Sequence, residues 1–112
     1  MSYDYSLFIA PGPGPMASWP HVPPAPLGTP DQLRQRVSEI VPGASWRHFA
    51  DTWFGRASAD GMELQLAGGE DGVCRFLIVR RITRPELEAL CRALGTVAVD
   101  NQTIELIRPE KG

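Results

Sequence analysis

The spacing of apolar residues predicts two short amphipathic helices, and residues 83–95 show the clearer pattern. Their apolar stripe consists of Leu87, Leu90, Cys91 and Leu94. Thr83 and Glu86 have the spacing of a capping box, and Gly95 fits the left-handed end of a helix. This segment therefore carries both the start and the stop signal of one helix.

Residues 29–41 repeat the same design. Thr29 and Gln32 form the second potential capping box, and Pro30 suits the first helical turn. The apolar stripe is Leu33, Val37, Ile40 and Val41. Pro42 and Gly43 then predict the end of the helix.

Alternating apolar and polar positions predict strands between and around the helices. They cover residues 3–9, 52–58, 62–66, 73–80, 96–99 and 103–107. Residues 44–51 fit both a helical stripe and a strand, and we interpret them as an irregular segment that leads into the strand at residue 52. The predicted order is β-α-β-β-β-α-β-β.

This order indicates an α+β fold of the ferredoxin-like sandwich type, with a mostly antiparallel sheet and both helices on one face. The strands ending near Phe8 and containing Phe76 are apolar on both sides, which is typical of central strands. Two helices cover one face of such a sheet. Phe8 and Phe76 therefore need another cover: the chain's own proline-rich segment, a second copy, or another protein.

Residues 11–30 form a proline-rich internal loop between the first strand and the first helix. Its eight prolines are incompatible with a helix and remove the donors that a sheet needs. Two PxxP spacings, at residues 20–23 and 23–26, are typical of polyproline-II ligands. Trp19 favours the alternative, in which the segment packs across its own domain.

Composition indicates a single globular domain over residues 1–112, with a frayed tail at 109–112. The net charge is −2, which gives no general attraction to nucleic acid or to anionic membranes. The start lacks the pattern of a secretory signal, so we expect a cytoplasmic protein. Cys74 and Cys91 stand among apolar residues and are interpreted as small buried hydrophobes, with a strand-to-helix disulfide as the alternative.

Candidate chemistry is sparse, and we predict no catalytic residues, no cofactor and no metal site. The two histidines lack spaced metal-ligand partners. His48 and Asp51 could serve as a base and its orienting group in a hydrolase-like enzyme, which remains the enzymatic alternative.

Both ends of the chain resemble small bacterial proteins of uncertain role. The opening residues are Ser2-Tyr-Asp-Tyr-Ser-Leu-Phe8, and the closing ones are Leu90-Cys-Arg-Ala-Leu-Gly95, Val97-Ala-Val-Asp100 and Gln102-Thr-Ile-Glu-Leu106. Some proteins of this appearance look like immunity partners of bacterial toxins. The resemblance implies a protein that blocks a cognate toxin by stoichiometric binding.

We therefore expect a non-enzymatic protein-binding module whose partner is a protein, with neither nucleic acid nor a membrane as a ligand. Aromatic side chains dominate the energetics of many interfaces, which makes them the candidate contacts. The candidates are Trp19, Trp46, Phe49, Trp53, Phe8 and Phe76. The alternative is a homodimer whose sheets pair around a pocket for a small ligand.

Overall fold

The computed structural model describes residues 4–57, 61–69 and 71–108 and shows an α+β fold in these ranges. A mostly antiparallel seven-stranded sheet combines with two α-helices and one 3₁₀ turn, Met16–Ser18. The strands are β1 Asp4–Phe8, β2 Ala44–Phe49, β3 Thr52–Ala57, β4 Glu63–Ala67, β5 Leu77–Arg80, β6 Val97–Asp100 and β7 Leu106–Ile107. The helices are α1 Pro30–Ile40 and α2 Arg84–Leu94.

The strands are arranged in the order β2-β3-β4-β5-β1-β6-β7, and each neighbouring pair is antiparallel. β5 and β1 lie side by side in the middle of the sheet. These are also the two strands that a helix follows in sequence. β2 and β7 are the edge strands.

The prediction that residues 44–51 are irregular is wrong, because most of them form β2. Six consecutive pairs join β2 to β3, from Ala44 opposite Ala57 to Phe49 opposite Thr52. A two-residue turn at Ala50 and Asp51 connects the strands, with Ala50 at a φ of 54°. The observed order is therefore β-α-β-β-β-β-α-β-β, one strand more than expected.

Two other strands are shorter than predicted because local hydrogen bonds compete with the sheet. Before β5, Cys74 pairs with the proline-rich segment: its N–H donates to the Gly28 carbonyl at 2.7 Å. Before β7, the Asp100 carboxylate accepts from the Gln102 amide at 2.8 Å and forms a turn. The predicted strand residues Tyr3 and Ser58 and the tail at 109–112 lie outside the described residues.

Both predicted helices are confirmed, including their caps. Thr29 and Gln32 form a complete capping box at α1, and Thr83 and Glu86 form one at α2. Gly95 adopts the left-handed conformation after α2, with a φ of 70°. Local side-chain chemistry therefore sets the start of both helices and the end of α2.

The main core lies between the helices and one side of the sheet. Its fully buried members come from every layer, and they include Leu7, Leu33, Leu64, Leu77 and Leu90. Cys74 and Cys91 are buried here as free thiols, which confirms the interpretation as buried hydrophobes over the disulfide. No helix in the described ranges is long and apolar enough to cross a membrane.

The buried thiols make stability depend on alkaline pH. Burial raises the pKa of Cys74 and of Cys91, because the charged thiolate is disfavoured away from water. Above about pH 8.5 the unfolded chain ionises these groups while the folded chain keeps them neutral, so stability falls as pH rises. Urea titrations between pH 7 and 10 should show a shallower decline for a Cys74→Ala/Cys91→Ala variant. Equal slopes in both proteins would contradict this explanation.

Ile104 stores strain in the connection before β7. It has a φ of 59°, although it is β-branched, and its side chain is 62% exposed. We expect Ile104→Asn to raise the free energy of unfolding by about 1 kcal/mol, because asparagine tolerates this conformation and little burial is lost. Ile104→Val keeps the branched side chain and serves as the control in urea denaturation. An equal gain from both variants would rule out relief of backbone strain.

Candidate functional site

Among the described residues, both helices lie on one side of the sheet and the other side has none. Side chains alternate along each strand, so the pairing registers assign every strand residue to a side. On β1, Leu7 faces the helices while Ser6 and Phe8 face the other way. We call the side without helices the open face.

The proline-rich segment covers one end of the open face. Phe8, Val97 and Val99 form a second apolar cluster there, and each is at most 9% exposed. Met16 and Trp19 pack on this cluster from above. The ring of Trp19 meets Phe8 edge to face with centroids 5.8 Å apart. This segment therefore covers β1 and β6 on the side of the sheet where neither helix lies.

Hydrogen bonds hold both parts of the segment in place. Near its start, the Arg108 guanidinium donates to the carbonyls of Gly12 at 3.3 Å and Gly14 at 2.7 Å. Near its end, the Leu27 amide donates to the Cys74 carbonyl at 2.7 Å, and Arg75 donates to the Pro24 carbonyl at 3.1 Å. Because Arg108 and Arg75 bind backbone carbonyls, these contacts depend on the path of the segment and not on its side chains.

The rest of the open face carries apolar side chains that are exposed or, in the case of Ile78, half-buried. They come from β2, β3, β5 and the residue before β5, and we call them the open patch: Phe49, Phe54, Phe76 and Ile78. Phe49 is 71% exposed, Phe76 is 44% exposed and Phe54 is 38% exposed. Phe76 also contacts Phe8 at a centroid distance of 5.6 Å, so the open patch adjoins the covered cluster.

Arginines surround the open patch, and two of them are paired with acids. Arg80 lies 3.1 Å from Asp4, and Arg56 lies 3.6 Å from Glu63. Arg47, opposite Phe54 in the sheet, has no ion pair among the described residues. Together with Phe54, Arg47 and Arg56 line a shallow depression of about 380 Å³. This part of the face combines an aromatic surface with a small excess of positive charge.

Trp46 and Trp53 lie on the helix side, away from the open patch. Trp46 crosses Gly55 on β3, where an added Cβ would lie 2.7 Å from the indole, and its Nε1 donates to the Ser38 hydroxyl at 3.0 Å. The Arg34 guanidinium stacks 3.6 Å from the centroid of Trp53. Both tryptophans thus dock the β2–β3 hairpin against α1.

His48 and Asp51 border the same open cleft of about 430 Å³ at the turn of the hairpin. The His48 ring stacks on Trp53 at 4.6 Å, and no hydrogen bond joins it to Asp51 in the described structure. Pro30, Gly68 and Gly69 are the other described lining residues, and they supply no hydroxyl or thiol. None of the described residues that line this cleft offers a hydroxyl or thiol nucleophile for the hydrolase-like alternative.

Metal-ligating side chains are dispersed in the described ranges. There, no group of three or more His, Cys, Asp or Glu residues is arranged to hold a metal ion. Two arginines near β5 and α2 form local ion pairs: Arg75 lies 2.7 Å from Asp71, and Arg84 lies 3.8 Å from Glu88.

The structure divides the six aromatic candidates into two groups. Phe8, Phe76 and Trp19 come together, with Phe8 buried between the other two, while Trp46 and Trp53 serve the opposite side of the sheet. Phe49 lies on the open face beside the hairpin turn. The aromatic candidates predicted for the binding surface did not include Phe54, and Ile78 was also not predicted to lie there. Alternation along the strands indicated both: each is an apolar residue next in sequence to a buried residue, so it faces the opposite side of the sheet.

Comparison of the chain with protein-family models, with curated proteins and with solved structures gives no match.

The contact between Trp19 and Phe8 predicts how the proline-rich segment contributes to stability. We expect Trp19→Ala to lower the free energy of unfolding by about 2 kcal/mol, since the indole is half-buried on the second cluster. Trp19→Phe is the control, because it keeps a ring and removes an indole N–H that is buried without a partner in the described structure. Urea denaturation measures both variants. A Trp19→Ala protein as stable as the parent would show that the segment rests on the sheet without stabilising it.

Proposed function

We propose that this protein is a non-enzymatic protein-binding module that holds its partner against the open patch. One observation carries the proposal: the described residues cover only one end of the sheet side that lacks helices. The other end presents three phenylalanines at 38% to 71% exposure. Contiguous apolar surface rimmed by charged residues is typical of protein interaction sites.

The shape and charge of the open face favour a protein over a small molecule or a nucleic acid. The depression beside Phe54 is about half open to solvent, whereas small-molecule sites enclose most of the ligand. Arg56 and Arg80 have acidic neighbours on the same face, which weakens any attraction to phosphates. Aromatic side chains in a shallow, mixed-charge surface suit a protein contact.

Within this class we propose a cytoplasmic immunity protein that blocks a toxin by stoichiometric binding. The support is the resemblance of the two chain ends to immunity-like bacterial proteins. We also propose a ferredoxin-like centre made of β4, β5, β1 and β6 with both helices, extended by the β2–β3 hairpin and by β7. The antiparallel order of these four strands, with β5 and β1 inside, supports that interpretation.

A homodimer is the competing candidate, because an apolar sheet face can also pack against its own copy. Two open patches facing each other would bury the same phenylalanines that the binding-module proposal assigns to a partner. Sedimentation of the isolated protein at micromolar concentration separates the two. If the protein forms a stable dimer and Phe54→Ser dissociates it, the open patch is the dimer interface.

Replacement of Phe54 and Phe76 by serine tests the binding proposal directly. We expect this double variant to lose the partner in affinity capture from the native host while keeping its fold, since both side chains are partly exposed. Truncating a central aromatic contact commonly weakens binding by about 2 kcal/mol or more, which is about thirtyfold. Mass spectrometry of the retained proteins and a thermal unfolding curve give the two readouts.

Val22→Ser is the matched control, because Val22 is 55% exposed and lies in the proline-rich segment. Equal retention by the double variant and the parent would overturn the open patch as the binding surface. Loss of the partner with Val22→Ser alone would place the contact on the proline-rich segment instead. For the immunity role, the retained protein should arrest growth when produced alone, and co-production of the parent should restore growth.

A further inference from the structure

The two edges of the sheet are built differently. β7, at one edge, has only two residues. β2, at the other edge, has six residues and pairs with β3 alone in the described structure. Proteins usually protect long edge strands with proline, lysine or a bulge, because free N–H and C=O groups can pair with another chain.

β2 has no proline, no lysine and no bulge, and Arg47 is the charged side chain that it carries. Its sequence, Ala-Ser-Trp-Arg-His-Phe, contains neither proline nor lysine. Its register with β3 runs without interruption over six pairs, which excludes a bulge. β2 is therefore a regular and accessible template for one more strand.

Hairpin geometry identifies the backbone groups that face outward. Phe49 and Thr52 flank a two-residue turn, and such a flanking pair is hydrogen-bonded within the hairpin. Alternate residues then point to the free edge, which assigns the N–H groups of Trp46 and His48 to it. The Ala44 amide fits this alternation, since it donates away from β3 to the Val41 carbonyl at 3.3 Å.

The side chains of β2 on the open face define what an added strand should carry. Arg47 forms no ion pair among the described residues, and Phe49 is 71% exposed. The backbone groups of both residues point to β3 and not to the free edge. With an added strand, both would therefore form non-hydrogen-bonded pairs, in which opposite side chains approach most closely. A carboxylate opposite Arg47 would therefore form an ion pair with it, and an apolar group opposite Phe49 would cover its ring.

We propose that the partner contributes an extended segment that adds to β2 as an antiparallel strand, with an apolar residue two positions before an acidic one. This inference rests on the proposed binding function and specifies the chemistry of the partner. The main chain of the segment pairs with the free edge, its carboxylate binds Arg47, and its apolar side chain covers Phe49. Such strand addition obtains affinity from the main chain and selectivity from alternate side chains.

A second copy of this chain fits the edge less well. Symmetric pairing of two β2 strands about Arg47 places two guanidinium groups opposite each other, which is destabilising. Pairing about Trp46 places Arg47 opposite Ser45, which has no charge. Neither register supplies the missing carboxylate, so the charge on β2 favours a different chain.

A synthetic peptide, Thr-Thr-Val-Thr-Glu-Thr-Thr with blocked ends, tests the proposal on the full-length protein. At millimolar concentration it should slow hydrogen exchange at the Trp46 and His48 amides, as measured by NMR. Replacing its glutamate by lysine should weaken binding about fivefold, and the protein variant Arg47→Glu should reverse that preference.

N-methylation of the peptide supplies the matched control. A methyl group on the threonine between valine and glutamate removes an N–H that faces β2, so this peptide should not bind. A methyl group on the glutamate nitrogen points away from β2 and should leave binding unchanged. Binding that is insensitive to the position of the methyl group would overturn strand addition.

Other outcomes separate this inference from the proposed function. Absence of protection at Trp46 and His48, while Phe54→Ser/Phe76→Ser still abolishes partner capture, would overturn strand addition and leave the open patch in place. Loss of the peptide effect together with equal capture by that double variant would overturn both. Protection of these amides by raising the protein concentration alone would assign the edge to a second copy.

Discussion

Two helices of eleven residues each cover one side of a seven-stranded sheet, and the sheet is wider than the two helices together. Seven strands at their usual spacing span about 29 Å, whereas two adjacent helices cover about 20 Å. Trp46 and Trp53 fill the difference under the β2–β3 hairpin by docking it onto α1. In the described part of the chain the other side has no helix, and this imbalance sets the conditions for both the proline-rich segment and the open patch.

The proline-rich segment covers part of the side without helices, and its regular structure there is the 3₁₀ turn Met16–Ser18. It places Trp19 on Phe8, while Arg108 and Cys74 bind its main chain near the two ends. Proline lowers the entropy lost when such a segment is ordered, because φ is already restricted in the unfolded chain. Its cover stops at Phe76, which contacts Phe8 on one side and remains 44% exposed. The surface beyond that point gives the protein its proposed means of binding.

Phe49 and Phe54 of the open patch lie on the same hairpin as the free edge of β2, which connects the two proposals. Gly55 lets Trp46 lie flat across β3 on the helix side, and Arg47 and Phe49 are then directed to the open face. A partner strand on β2 would extend the sheet and place its own side chains beside Phe54. One interface could thus use backbone pairing at the edge and apolar contact on the face.

The sequence alone determined the helices, because capping boxes, a terminal glycine and apolar stripes act within a few residues of the chain. It also indicated that Phe8 and Phe76 lie on a side without helices, since alternation assigns side chains to faces. It did not identify β2, because Trp46 and Phe49 have helical spacing while the aromatic content of the segment also suits a strand. Only the pairing with β3 decided between them. Tertiary structure also decided which aromatic residues are exposed. Trp46 and Trp53 are covered by α1, and Phe8 is covered by Trp19. These contacts join residues that are distant in sequence or connected by a loop, and local rules do not specify the path of that loop.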